Sequence, residues 1–187
     1  MKTAMSRFQI HDDLTAPEAS LPILRGALST AGQLPNFLGV IAESPAVLRA
    51  YARFRSEIRR GALPETTMQR ISLALATYYR SAPGLALHTR TARRAGLGFD
   101  EVAAACAWCS ADSRQAALLA YLKPLFTEHG RAPQHLLEEA REAGWSDEEL
   151  LEAMAHASIE SFTAMVNVAG EVPVDGSVED ARMLRAA

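Results

Sequence analysis

The sequence predicts an all-α protein, and three observations lead to that prediction. Hydrophobic residues make up 49% of the 187 residues and aromatic residues only 6%, so the core must be built largely from Ala and Leu, which favour close-packed helices. Ser and Pro residues stand where helices would begin, and Gly residues stand where they would end. No run of alternating apolar and polar residues is long enough to indicate a strand.

These start and stop signals divide the chain into elements. An irregular segment covers residues 1–16, a single helical domain covers 17–175, and a tail with a short polar helix covers 176–187. The predicted helices run over about 17–31, 34–43, 45–60, 64–82, 83–96, 100–109, 113–128, 134–143 and 146–170. Pro124 lies inside one of them and is expected to bend it.

Two of the predicted helices have apolar stripes. The helix that Pro64 opens carries one at the spacing of a helix face, made of Met68, Ile71, Leu75 and Tyr78. The last helix begins with a capping box at residues 146–149. Its stripe consists of Leu151, Met154, Ser158, Phe162 and Met165.

Composition excludes several classes of function. A net charge of -3 without a basic stripe argues against a nucleic-acid partner. No apolar run approaches the roughly 20 residues of a membrane span, and the first ten residues lack the apolar region of a secretory signal. Two cysteines three residues apart do not resemble the disulfide framework of a secreted protein. We therefore expect a cytoplasmic protein that binds neither nucleic acid nor membrane.

Residues 68–96 contain the pattern that is most informative about function. His88 follows Ser81 by seven residues and Gly84 by four, and Gln69 lies on the preceding helix. This arrangement resembles the signature of the alkylhydroperoxidase D-like / carboxymuconolactone decarboxylase family, in which a Glu precedes a Cys-x-x-Cys-x-x-x-His motif. Ser81 and Gly84 stand at the two Cys positions, and Gln69 stands at the Glu position.

Further segments extend the resemblance over residues 34–175. They include Leu34-Pro-Asn-Phe-Leu, the stretches 44–51, 61–64 and 88–97, the Trp-Ser-Asp-Glu-Glu sequence around residue 146, and Asn167-Val-Ala-Gly170. The resemblance implies an alkylhydroperoxidase D-like helical fold. It also implies a homo-oligomer, commonly a trimer or hexamer.

The chemistry of that family is not available at these positions. It needs a thiolate that attacks the peroxide and a second thiol that closes a disulfide, with Glu and His relaying protons. A Ser hydroxyl is too basic and forms no disulfide, and Gln69 cannot shuttle protons as a carboxylate does. We therefore expect no ordinary alkyl hydroperoxidase activity through Ser81 and Gly84.

His88 is the strongest candidate for a catalytic residue, because an imidazole is a natural acid or base at neutral pH. The alternative is a buried His that hydrogen-bonds Gln69 or a carbonyl group. Tyr78 and Tyr79 precede the vacant motif, and their hydroxyls could bind a carboxylate or an enolate, although core packing is the alternative for both. Since Ser81 and Gly84 are small, we expect open space on the face of His88.

Cys106 and Cys109 form a second Cys-x-x-Cys pattern on the next helix. If that helix packs antiparallel to the helix of His88, Cys106 and Cys109 lie opposite residues 89 and 86, so a relocated redox pair is possible. Buried structural cysteines are the alternative. A zinc site would lack a ligand. We expect no bound metal and no cofactor, since no Gly-rich phosphate loop is present.

Three functions stay open. The first is a small-molecule enzyme or binder without a thiol that uses His88 as acid or base; the resemblance permits it, because the family includes a lactone decarboxylase that works without the dithiol. The second is thiol redox activity through Cys106 and Cys109. The third is a non-catalytic oligomeric scaffold. The sequence does not identify the small molecule.

Overall fold

The computed structural model describes residues 6–176, and that part of the chain is helical, without a strand. A 3-10 turn at Glu18–Ser20 precedes nine α-helices in these residues. They are α1 (Leu21–Ala31), α2 (Asn36–Ile41), α3 (Pro45–Ile58), α4 (Glu65–Tyr78), α5 (Ala82–Arg94), α6 (Phe99–Cys106), α7 (Ser113–Thr127), α8 (Gln134–Glu142) and α9 (Asp147–Ala169). The all-α prediction is confirmed.

Side-chain caps fix where several helices begin. The hydroxyl of Ser44 accepts a hydrogen bond from the backbone N–H of Val47 at the start of α3, and Asp112 caps α7 in the same way. The predicted capping box of α9 is present, with Ser146 and Glu149 each accepting from the other's backbone N–H. Each such cap satisfies a backbone donor that the helix leaves free.

The helix α4 is the centre of the fold. Its middle, from Arg70 to Ala76, is buried throughout, because α5, α6 and α9 all pack against it. A helix that is buried on every side needs such surroundings, and the buried Arg70 of α4 pairs with Glu101 of α6. This central position brings side chains from α5 and α9 to two sides of α4.

Three apolar clusters hold the helices together. The largest joins α4, α7, α8 and α9 and contains Trp145 and Leu122. A second joins α1, α2 and α3 to α9 through Leu24, Leu48 and Ile159. A small third cluster joins α4, α5 and α6. The long helix α9 thus contacts both the first and the central helices.

The structure changes several predicted boundaries: α1 begins at Leu21 rather than residue 17, and α4 ends at Tyr78 rather than residue 82. The helix α6 ends at Cys106 rather than Cys109, because Trp108 turns into the left-handed region with a φ of 61°. That turn buries the Trp108 ring in the largest cluster. Cys109 therefore lies outside the helix. The division into a domain at 17–175 and a tail stays a prediction, and the short helix expected in the tail lies outside the described residues.

Three residues of the stripe predicted on α9 lie on its outer face, whereas Met154 and Phe162 are half-buried against the largest and the second apolar cluster. Leu151 is 65% exposed and Met165 49% exposed, and Ser158 is also exposed. The buried face instead carries the small residues Ala153 and Ala157 together with polar residues. This inward polar face contributes to the candidate site.

None of the helices in residues 6–176 is long and apolar enough to cross a membrane.

Candidate functional site

His88 lies on the buried face of α5 and is hydrogen-bonded through both ring nitrogens. Its Nε2 lies 3.1 Å from Oε2 of Glu160 on α9, and its Nδ1 lies 3.1 Å from Oε1 of Gln69 on α4. Thr91, one turn further along α5, donates to the same Gln69 oxygen at 2.6 Å. His88 is thus fixed between α4 and α9, and Gln69 reaches it as the family resemblance implies.

Glu160 is the residue that the sequence analysis missed. Its carboxylate is 3% exposed, and it supplies from α9 the acidic partner that Gln69 on α4 does not provide. One signal was present in the sequence: Glu160 stands four residues after His156, among small and apolar residues, and four residues is the spacing of neighbours on one helix face. An acid on a buried helix face needs a positively charged partner, which makes it a candidate for a site.

Arg55 on α3 occupies the other oxygen of Glu160. Its guanidinium lies 3.2 Å from Oε1 of Glu160 and donates to the Tyr51 hydroxyl at 2.9 Å. Arg55, Glu160 and His88 therefore form one chain of hydrogen bonds across three helices. Both carboxylate oxygens have a partner, as a buried charge requires.

The neighbouring Arg55 and His88 keep Glu160 ionised. Burial disfavours the charged carboxylate and by itself raises its pKa, but the charge of His88 and its hydrogen bond, together with Arg55, hold the pKa of Glu160 well below its ordinary value. Burial also raises the pKa of Tyr51, and there the neighbouring groups do not outweigh it. The site thus contains a permanent negative charge beside a neutral phenol.

His156 lies one turn before Glu160 on the buried face of α9. Its Nε2 lies 3.0 Å from the carbonyl oxygen of Met68 and 3.0 Å from the hydroxyl of Ser72. Because a carbonyl oxygen can only accept, Nε2 carries the proton. Burial lowers the pKa of His156, which favours the neutral ring with its lone pair on Nδ1.

A cavity of about 90 Å³ lies between α3, α4, α5 and α9, beside these residues. Polar side chains of all four helices line it: Arg55, Arg59, Gln69, Ser72, Thr91, His156 and Glu160. Ile58, Met68 and Ile159 contribute apolar surface, and Glu65 lies at the start of α4. His88 does not line the cavity and contacts it through Glu160 and Gln69.

Ser81 and Gly84, at the vacant motif positions, belong to the start of α5. The Ser81 hydroxyl caps the helix by accepting from the backbone N–H of Gly84 at 3.3 Å, and Asn167 of α9 donates to the same hydroxyl at 3.4 Å. A Cβ added at Gly84 would lie 3.0 Å from the Ser81 hydroxyl oxygen and 3.3 Å from the Ala76 side chain. The expectation of open space at this place is wrong, since the neighbouring helices close over it.

Tyr78 and Tyr79 end α4, and neither lines the cavity. The Tyr78 hydroxyl donates to the carbonyl of Phe126 on α7 at 3.3 Å, and Tyr79 packs against the largest apolar cluster. Nine residues of helix, about 13 Å, separate Gln69 from Tyr78. The structure therefore does not bring the two tyrosines together with His88.

Cys106 and Cys109 are both free thiols. Cys106 is half-buried and packs against the small cluster of α4, α5 and α6. Cys109 is exposed, and its thiol lies 3.5 Å from the carbonyl oxygen of Ala107. No group of three or more His, Cys, Asp or Glu side chains in residues 6–176 is arranged to hold a metal ion.

Comparison with known proteins shows which family part of the chain is similar to. Residues 45–126 match the sequence model of the carboxymuconolactone decarboxylase family. This range includes α3 to α6 and most of α7, with Arg55, Gln69 and His88, whereas Glu160 and His156 lie beyond it. A search of curated proteins finds no match to this chain.

Solved structures share the fold over most of its length. An uncharacterized peroxidase-related protein from Ralstonia eutropha JMP134, with the alkylhydroperoxidase AhpD core, is 17% identical with a TM-score of 0.79 and covers 92% of this chain and 94% of its own. An uncharacterized peroxidase-related protein from Silicibacter sp. TM1040 is 15% identical with a TM-score of 0.80, covering 94% and 95%. The debrominase Bmp8, as a single-substitution variant in complex with 2,3,4-tribromopyrrole, is 19% identical with a TM-score of 0.73, covering 100% and 98%.

Proposed function

We propose that this member of the carboxymuconolactone decarboxylase family is a non-thiol enzyme or binding protein, which takes a small molecule into the cavity and acts by acid/base chemistry. The observation that carries the proposal is the buried chain of Arg55, Glu160 and His88, which reaches the cavity through Glu160. A buried charge costs desolvation free energy, and carboxylates with strongly shifted pKa values are common at functional sites. The same fold in the debrominase Bmp8 accommodates a small organic molecule.

The roles of the residues follow from their contacts. Glu160 presents a fixed negative charge at the cavity wall, and Arg55 and His88 hold it there from two sides. His88 is the acid/base group of the pair, because Glu160 stays ionised and does not itself take up a proton. Gln69 fixes the other nitrogen of the His88 ring. His88 thus acts on the cavity through Glu160.

Reduction of hydroperoxides at the vacant motif is not part of this proposal. Ser81 and Gly84 carry no sulfur, and the Ser81 hydroxyl is occupied as a helix cap. Thiol redox chemistry through Cys106 and Cys109 is the alternative, and the exposure of Cys109 favours it. Peroxide reduction that is lost in a Cys106→Ser/Cys109→Ser double variant would support that alternative.

A ligand screen by thermal shift tests the proposal. We expect small organic acids, lactones or phenols that raise the melting temperature of the wild type to lose this effect in Glu160→Gln and His88→Ala. The matched control is His135→Ala, because His135 is exposed on α8 and its loss should leave every response intact. His129 is a poorer control, since its backbone has a φ of 55°. Ligand responses that persist in His88→Ala would place the site elsewhere.

We also infer that the chain assembles with itself, as a trimer or hexamer. The support is the outer face of α9, where the large apolar side chains Leu151, Met165 and Val168 are exposed. Surface of this kind is commonly covered by a partner in oligomers.

A further inference from the structure

Two polar groups that line the cavity have bonding capacity that the chain leaves unused. The Nδ1 atom of His156 makes no hydrogen bond in residues 6–176, since both contacts of the ring are through Nε2. The guanidinium of Arg59 forms neither an ion pair nor a side-chain hydrogen bond within the same residues. Both side chains belong to the cavity wall.

His156 and His88 differ in what they offer to a ligand. Both nitrogens of His88 are occupied, and the ring does not reach the cavity. His156 lines the cavity, and its proton is fixed on Nε2 by the Met68 carbonyl. Its free Nδ1 lone pair is therefore an acceptor for a hydrogen-bond donor on the ligand, and a base if that donor is acidic.

Among the charged side chains that line the cavity, Arg59 is the one that can bind an anionic group of a ligand. Arg55 and Glu160 neutralise each other by direct contact. Of the remaining charged groups at the wall, Arg59 can pair with an anionic ligand, while Glu65 can only accept hydrogen bonds. A complementary ligand thus carries one carboxylate for Arg59 and a hydroxyl group that donates to the acceptors.

The volume limits the size of that ligand. A cavity of about 150 Å³ holds the six carbons of benzene, so about 25 Å³ is needed for each heavy atom. The 90 Å³ of this cavity corresponds to about four heavy atoms, and one or two more can extend through the open mouth. Glycolate, with five heavy atoms, is of this size.

We propose that the cavity binds a small 2-hydroxy carboxylate, whose carboxylate pairs with Arg59 and whose hydroxyl donates to Nδ1 of His156. This inference rests on the proposed function and names the ligand class of the same cavity. The hydroxyl keeps its proton and donates a hydrogen bond to Nδ1, because an aliphatic alcohol is far less acidic than an imidazolium. Burial, which lowers the pKa of His156, keeps the ring neutral and its Nδ1 lone pair available as the acceptor.

The test measures binding of glycolate and acetate by calorimetry at pH 7. Acetate has the carboxylate but no hydroxyl, so we expect wild type to bind glycolate about ten-fold more tightly. Arg59→Gln should weaken both ligands about ten-fold. Its neighbour Arg60 does not line the cavity and pairs with Glu57, so Arg60→Gln should change neither affinity.

His156→Gln isolates the role of Nδ1. The amide N–H of a Gln side chain can replace Nε2–H of His156 as the donor to the Met68 carbonyl, but Gln has no nitrogen at the Nδ1 position. We expect this variant to bind glycolate and acetate equally. Nitrogen NMR of the His156 ring in the wild type is a second measurement. It should show the Nε2–H tautomer, and the chemical shift of Nδ1 should change when glycolate binds.

Three results would overturn the inference: no glycolate binding up to about 10 mM, equal affinity for the two acids in wild type, or an unchanged preference in His156→Gln. These results leave the proposed function standing if other ligands in the thermal-shift screen still depend on Glu160 and His88. The failure of that screen would instead remove the proposed function itself.

Discussion

Glu160 carries a charge although its side chain is only 3% exposed, and its two neighbours make that state stable. Arg55 and His88 each occupy one carboxylate oxygen. Removal of one member of a buried ion pair costs more than the pair contributes, because the remaining charge keeps its desolvation penalty. The stability of the fold is therefore tied to the same residue that we place at the cavity wall.

We expect Glu160→Gln to lower the free energy of unfolding by about 3 kcal/mol, because the isosteric amide leaves Arg55 without its counter-charge. Urea unfolding measures this difference. The control is Glu57→Gln, which removes an exposed pair with Arg60 and should change the stability by less than about 0.5 kcal/mol. Equal effects of the two substitutions would show that the buried network is not a special source of stability.

The pH dependence of stability should report on His156. The pKa of His156 in the folded protein lies below the ordinary value of 6.5. Its contribution to the free energy of unfolding is therefore fully present above pH 6.5, and it is lost as the pH falls through the folded-state pKa. The charged groups that act on it are Glu160, Arg55 and His88. Glu160 also has a lowered pKa, so its contribution to stability is lost at still lower pH, below its ordinary pKa of 4.5.

We therefore expect the unfolding free energy to fall between pH 7.5 and pH 5.5 in wild type, by at most about 1.4 kcal/mol for each pH unit. In His156→Gln the fall in this window should be smaller, because the titrating group is gone. Urea midpoints at three pH values measure the two slopes. Identical slopes would mean that another group controls stability in this window.

At the scale of the element, α5 begins with a side-chain cap at Ser81. Ser81 accepts from the backbone N–H of Gly84, and a Cβ at Gly84 would contact Ser81 and Ala76 at 3.0 to 3.4 Å. Neither neighbour has room to move, since Ser81 and Ala76 are both buried. The start of α5 is thus in close contact with the end of α4.

Two Gly-to-Ala substitutions test this contact. We expect Gly84→Ala to destabilise the protein by about 1 kcal/mol, because overpacking costs more than the gain in helix propensity. Gly26→Ala in α1 is the matched control, since nothing lies within 4 Å of its added Cβ, and it should stabilise by about 0.5 kcal/mol or more. Thermal unfolding of both variants measures the two shifts. A stabilised Gly84→Ala variant would show that α4 and α5 can separate at no cost.

The helix α9 explains why the fold could be predicted from the sequence better than the site. Capping residues mark helix ends locally, so the capping box at Ser146 predicted the start of α9 correctly. Which face of α9 is buried depends on its neighbours, and Leu151 and Met165 of the predicted apolar stripe are exposed. The inward face with His156 and Glu160 could be recognised only from their i, i+4 spacing. The pairing of Glu160 with His88 joins helices that are 72 residues apart in sequence, and no local signal specifies it.

At the scale of the whole molecule, one physical argument connects the polar inner face of α9 with its apolar outer face. A single helix can supply charged side chains to a site only if apolar surface elsewhere compensates for the cost of burying them. In α9 the apolar side chains that do not enter the chain's own core are Leu151, Met165 and Val168. Assembly with a second copy would bury them and make the site and the interface two faces of one helix.

We expect the wild type to sediment as an oligomer at micromolar concentration and Met165→Glu to dissociate it toward the monomer, because a buried carboxylate without a partner opposes association. Leu151→Glu, fourteen residues away on the same stripe, should have the same effect. Leu14→Glu is the control, since Leu14 is 86% exposed but lies in the segment before the first helix, so its substitution should leave the sedimentation coefficient unchanged. Circular dichroism should remain helical in all three variants, which separates dissociation from unfolding. A monomeric wild type, or an oligomer that Met165→Glu does not weaken, would mean that the outer face of α9 is not the interface.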